Sequence, residues 1–156
     1  MAEAQRAAGR WGPGAMDRLH ARLAGLARPA TALVSQPEPR SIGDPARGRQ
    51  LLAGNLMFGG HLVEAPGQPI WDAPAPDAAF TDAAQGCSWL DDLAAAGDAP
   101  ARALAQDWVL GWIARYGRGG GPGWLPGTTG RRLIRWVHHA PLLMRARTRR
   151  ETTAFL

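Results

Sequence analysis

The stretch "DAPARALAQDWVLGWIARYG", residues 98–117, restricts the possible folds of this chain more than any other. Asp98 is a helix-capping residue, Pro100 suits a first turn, and Gly117 begins the stop. Between them Leu104, Trp108, Trp112, Ile113 and Tyr116 recur at helical spacing and form one apolar face. A helix of this length cannot bury such rings alone, so other elements must pack against it. The preceding segment, "FTDAAQGCSWLDDLAAAGD", places Trp89, Leu90 and Leu93 on one side of a second helix. Together the two predict a helical hairpin.

A third helix is expected in "TGRRLIRWVHH", residues 129–139, capped by Thr128 or Thr129. The spacing predicts Leu133, Ile134, Trp136, Val137 and Ala140 inward, with Arg131, Arg135 and His139 nearer the other side, and Pro141 ending or kinking the helix. Over residues 80–144 the expectation is antiparallel α-hairpins with Trp89, Trp108, Trp112 and Trp136 inward.

The amino-terminal part reads differently. Residues 1–14 form a flexible leader, and Met16, Leu19, Leu23 and Leu26 predict a helix from about Ala15 to Leu26, with His20 on its wet side. Proline and glycine recur too often beyond it for a long helix, so residues 15–68 are read as a short helix followed by an irregular wrapping segment. Within that segment Asp44 and Pro45 suit a brief turn of helix, and "LMFGGHLVEA" suits a hairpin turning at Gly59 and Gly60. At the other end, "RARTRRETTAFL" sets Arg145, Arg147, Arg149 and Arg150 against Glu151 and predicts a solvated, flexible tail over 145–156.

Charge and composition exclude more than they assign. The chain of 156 residues has 18 Lys+Arg against 13 Asp+Glu, and every basic residue is arginine. Such a bias in an alanine-rich chain follows from genomic base composition as readily as from function, so it does not argue for a nucleic-acid partner. Cys87 is the single cysteine, which excludes an internal disulfide and a cysteine-based zinc cluster. "GRGGGPG" at 117–123 lacks the lysine and serine/threonine of a phosphate loop and follows a helix where a strand is required. His138 and His139 are adjacent and diverge by about a hundred degrees on a helix, unlike a metal pair three or four residues apart. No cofactor and no metal are expected. No apolar run approaches a membrane span and no signal-like segment opens the chain, so the cytoplasm is expected for the chain as written, with the periplasm open to a different start.

The order of several words carries a resemblance. Trp71, "GCSWLDDL" at 86–93, "WVLGWI" at 108–113, and Trp124 followed by Arg131, Arg132, Ile134 and Trp136 resemble the amino-terminal helical part of bacterial heparinase II/III-like proteins. The likeness runs from about residue 69 to 144, and more weakly back through "GDPARGRQLLAG" to "VEAPG". It implies an all-α fold, a partial α/α toroid of α-hairpins with an irregular amino-terminal segment. It further implies polysaccharide lyases that act on uronate-containing chains by β-elimination and that add further toroid hairpins and a carboxy-terminal β-sandwich downstream.

The catalytic motifs of that family lie beyond the region of resemblance. No catalytic residue is therefore assigned, and Asn55, Tyr116, His138 and His139 are not promoted on side-chain chemistry alone. The expected function is a non-catalytic amino-terminal portion of such a lyase, the alternative being a helical module that binds an acidic polysaccharide or a protein. Trp124 and Arg132 are the candidate substrate-binding residues, expected in an exposed groove. Self-association is expected too, because absent hairpins would leave Trp108, Trp112 and Trp136 uncovered.

Overall fold

Three aspartates start three of the helices. Asp44 accepts from the Ala46 N–H at 2.8 Å, Asp77 from Phe80 N–H at 2.7 Å and Asp98 from Ala101 N–H at 2.8 Å. Each satisfies a donor that the first helical turn leaves without an intrahelical acceptor, an effect of about 1 kcal/mol per cap. The structure, a computed structural model, describes residues 14–24, 26–27, 30–35, 37–39 and 41–156. The leader expected over 1–14 therefore lies outside the described residues, Gly14 apart.

The elements follow in the order α1 (Ala15–Ala24), α2 (Pro45–Leu52), β1 (Asn55–Phe58), β2 (His61–Glu64), α3 (Ala78–Gln85), α4 (Trp89–Ala96), α5 (Ala99–Tyr116), a 3-10 turn (Pro122–Trp124), α6 (Pro126–His138), α7 (Ala140–Met144) and α8 (Arg149–Phe155). Among the described residues the fold is mostly helical, with one small antiparallel sheet. In that sheet Asn55 faces Glu64 and Phe58 faces His61, and Gly59 and Gly60 make the turn with φ of 58° and 84°. Positive φ at both central residues is what a two-residue hairpin loop requires.

Helices α4 and α5 form the expected hairpin. Gly97 ends α4 in the left-handed conformation, and its N–H bonds to the Leu93 carbonyl. The ring of Trp89, at the start of α4, meets that of Trp108, in the second half of α5, edge-on at 5.0 Å, so the chain has doubled back. Trp89, Trp108, Trp112 and Trp136 are all buried, as their spacing predicts. Helix α2 lies along α4, where a Cβ on Gly48 would come within 2.4 Å of the Asp92 carbonyl oxygen. Only glycine permits that approach.

Four expectations need correction. Helix α6 starts at Pro126 with Leu125 at its cap, so Thr128 and Thr129 lie inside it and bond Asp82 and the Gly123 carbonyl instead of capping it. In α6 the inward residues are Thr128, Arg132 and Trp136, while Leu133 and Ile134 are 50% and 58% exposed. His139, at the end of α6, is buried as well. The helix is turned because its polar side chains meet acidic and aromatic partners on α3, α4 and α5, described below. The 145–156 tail also holds a helix. Thr148 and Glu151 close a capping box at the start of α8, Arg147 pairs with Asp107 and Glu151, and Phe155 stacks on Trp136 at 5.7 Å. Finally, Trp108, Trp112 and Trp136 are covered by this chain itself, through Trp71, Trp89, Arg132 and Phe155. Exposed apolar side chains lie elsewhere, at Leu133, Ile134, Met57 and Leu62 and at Met16, Leu19, Leu23 and Leu26 on and just beyond α1. No helix among the described residues is long and apolar enough to cross a membrane.

Candidate functional site

Arg132 and Trp124 come together, but not in an exposed groove. Arg132 is 1% exposed, and its guanidinium carbon lies 3.8 Å from the centre of the Trp112 ring, 5.6 Å from Trp124 and 5.7 Å from Trp136. Its Nη1 donates to the Gly123 carbonyl at 2.5 Å and to the Gln85 carbonyl at 3.4 Å. No carboxylate pairs with it among the described residues, and its Nε has no partner there. Burial therefore lowers its pKa to about 10. The aromatic faces supply part of the compensation, at about 2 kcal/mol for a desolvated cation over a ring. Trp124 is half-buried, and its indole N–H donates to the Tyr116 carbonyl at 2.7 Å. Both candidates thus join the 3-10 turn to α5 and α6, a packing role that the spacing of "GWLPGTTGRR" does not reveal.

Gln85 links this cage to the next layer by accepting from the Trp112 indole N–H at 2.7 Å. On the surface side, Asp82 accepts from Thr128 at 2.5 Å and from Arg131 at 2.6 Å. A second polar centre lies deeper. Asp91, in the first turn of α4, accepts from Arg135 Nε at 2.9 Å and hydrogen-bonds His139 Nε2 at 2.8 Å. Burial pushes the Asp91 carboxyl up, but the bonds from His139 and Arg135 outweigh it and hold the carboxyl below its ordinary value. Cys87 lies within the same core, fully buried, with φ of 57° and its thiol pushed up to about 12 by burial.

Asp91 and Arg135 also reach the floor of a cleft of about 320 Å³ between the α2–β1 region and helices α3, α4 and α6. Arg47, Ser88 and Asp92 supply its other polar groups, and Ile42, Met57 and Phe58 its apolar ones. Asp92 Oδ1 accepts from the Asp44 N–H at 2.8 Å, and burial raises the Asp92 pKa. The sequence signal for this cleft was faint: Arg47 and Asp92 are 45 residues apart, and the words that hold them, "GDPARGRQLLAG" and "GCSWLDDL", do not show that the two side chains meet.

The remaining residues weighed for chemistry are dispersed. Asn55 sits in β1 opposite Glu64, the Tyr116 ring packs among Trp71 and Trp112, and His20 is exposed on α1. His138 and His139 diverge, and only His139 is buried. No group of three histidine, cysteine or acidic side chains suited to a metal occurs among the described residues. Comparisons with protein-family models, with curated proteins and with solved structures found no match to this chain.

Proposed function

We propose that this chain is the amino-terminal, non-catalytic portion of a heparinase II/III-like polysaccharide lyase, and that its α-hairpins are the first of an incomplete α/α toroid. The whole protein would act on uronate-containing polysaccharides by β-elimination. The reading rests on the ordered resemblance over residues 69–144, and its non-catalytic part on one observation about the cleft. Elimination needs a group that neutralises the substrate carboxylate beside a base that takes the C5 proton. Among the described residues, no histidine, tyrosine or asparagine lines the cleft. His139, which bonds the cleft residue Asp91, is itself buried.

The test is an elimination assay on the purified chain with heparan, alginate and hyaluronan, following the unsaturated product by ultraviolet absorbance. No turnover above a mock purification is expected. Robust turnover would overturn the non-catalytic reading. A second reading, a helical module that binds an acidic polysaccharide or a protein, is favoured by Arg47, which lines the cleft with no hydrogen bond or ion pair among the described residues. Retention on a heparin or alginate column that survives replacement of the exposed Arg145, Arg149 and Arg150 by glutamine would support it.

A further inference from the structure

The arginines of this protein are less available to an acidic polymer than their number implies. Arg115 pairs with Asp72, Arg131 with Asp82, Arg135 with Asp91 and Arg147 with Asp107 and Glu151, while Arg132 is buried among tryptophans. In the cleft itself two guanidinium groups, of Arg47 and Arg135, face two carboxylates, of Asp91 and Asp92, so its formal charges cancel. An anion drawn to either arginine meets a carboxylate beside it, and a cation meets the reverse.

Polar capacity nevertheless remains open on both sides of the balance. Asp92 uses Oδ1 for the Asp44 N–H, leaving Oδ2 as an acceptor. Arg135 spends Nε on Asp91 and Nη1 on the Gly86 carbonyl, leaving Nη2 as a donor. Arg47 keeps its donors, and the Ser88 hydroxyl, which donates to the Ala83 carbonyl, can still accept. Beside these groups Ile42 is 96% and Met57 45% exposed, giving an apolar rim. The volume, about 320 Å³, falls within the range of small-molecule sites.

A ligand suited to such a wall carries groups that donate and accept at once, has no net charge, and presents a C–H face. A sugar hydroxyl donates to a carboxylate while accepting from a guanidinium, and a pyranose ring has apolar faces. We propose that the cleft is a binding site for a neutral sugar unit, with Arg47 and Asp92 taking its hydroxyl groups and Ile42 and Met57 its apolar face. The assignment rests on reading the cleft as a binding surface and does not depend on the lyase lineage.

The experiment is a backbone amide NMR titration of the full chain with cellotriose and chitotriose as neutral probes, and with a hyaluronan tetrasaccharide and inorganic sulfate as acidic ones. A neutral trisaccharide should shift amides within 42–47, 57–59 and 88–92, and sulfate should not. Arg47→Ala and Asp92→Asn should each weaken that binding about fivefold, the loss of one hydrogen bond. Arg47 is exposed and without a bonded partner among the described residues, so its replacement should leave the tryptophan fluorescence unchanged. Three outcomes would overturn the inference: no shift with either neutral probe up to about 20 mM, shifts confined to other residues, or shifts in the cleft with the acidic tetrasaccharide alone. The last would leave the lyase reading intact. Neutral-sugar binding accompanied by turnover in the elimination assay would instead remove the non-catalytic reading and leave the cleft assignment standing.

Discussion

Arg132 shows what a buried cation requires when no carboxylate meets it. Its charge is spread over a planar group that lies against the Trp112 ring, and its Nη1 is anchored on two carbonyls. The lowered pKa measures the cost of that burial: below about 10 the folded state carries a desolvated charge. Stability from this group alone therefore rises with pH between about 10 and the ordinary arginine value, where the unfolded chain holds the extra proton. Arg132→Ala should cost about 3–5 kcal/mol by leaving a cavity among three tryptophans. Arg132→Met should cost much less, because it fills the space without a charge. Urea unfolding followed by tryptophan fluorescence measures both, and equal losses would remove the cavity from the account and place the loss on the guanidinium and its ring and carbonyl contacts. Cys87 offers a second residue-scale check. A fully buried thiol raised to about 12 should resist a water-soluble thiol reagent at neutral pH until the chain unfolds, and fast labelling of the native protein would contradict its placement.

At the scale of elements, the decisive case is the orientation of α6. Hydrophobicity alone points Leu133 and Ile134 inward, whereas the packed helix turns Thr128, Arg132 and Trp136 to the core. The reason is partnership: Asp82 on α3 takes Thr128, the α5 tryptophan takes Arg132, and Asp91 on α4 takes Arg135 and His139. An apolar contact gains no comparable specificity, because any exposed pair of aliphatic side chains can find another cover. Ile134→Glu should thus change stability by no more than about 0.5 kcal/mol, as for an ordinary surface site. Trp136→Ala should cost about 3–5 kcal/mol. Denaturation of the two variants decides the face, and the reverse ranking would restore the simple apolar assignment. Helix α8 follows the same logic. Its capping box was written in Thr148 and Glu151, but its reason to dock is the ring contact of Phe155 with Trp136 and the reach of Arg147 to Asp107.

For the molecule as a whole, the polar layer around Asp91 ties α4 to α6 and couples stability to pH. The hydrogen bonds from His139 and Arg135 hold the Asp91 carboxyl below its unfolded value of about 3.9, so the unfolded chain binds the proton first. The stabilisation is complete above that value and is lost as pH falls through the lower, folded one. Unfolding monitored by circular dichroism from pH 7 to pH 2 should show this loss. Asp91→Asn should be destabilised by about 3 kcal/mol at pH 7, since it leaves the Arg135 guanidinium without its anion, and its acid sensitivity should be weaker. An Asn variant with the unaltered acid transition would place the titrating group elsewhere.

Apart from the start of α6 and the docking of α8, helix positions and caps were determined by the chain locally. Asp44, Asp98, Pro100, Gly59 and Gly60 act within a few residues of themselves, and the recurrence of Trp89, Trp108 and Trp112 needs only the helical period to specify a buried face. The α4–α5 hairpin and the β1–β2 turn are legible for that reason. What surrounds Arg132, which way α6 faces, and where the cleft opens depend on partners more than thirty residues distant: Gln85 beside Arg132, Asp91 beside His139, Arg47 across from Arg135. A lone arginine or aspartate carries the same local signal whether it is solvated, paired or buried. Only the packing of distant segments sets the dielectric and the partner, and so separates a structural cation such as Arg132 from one that is open to a ligand such as Arg47.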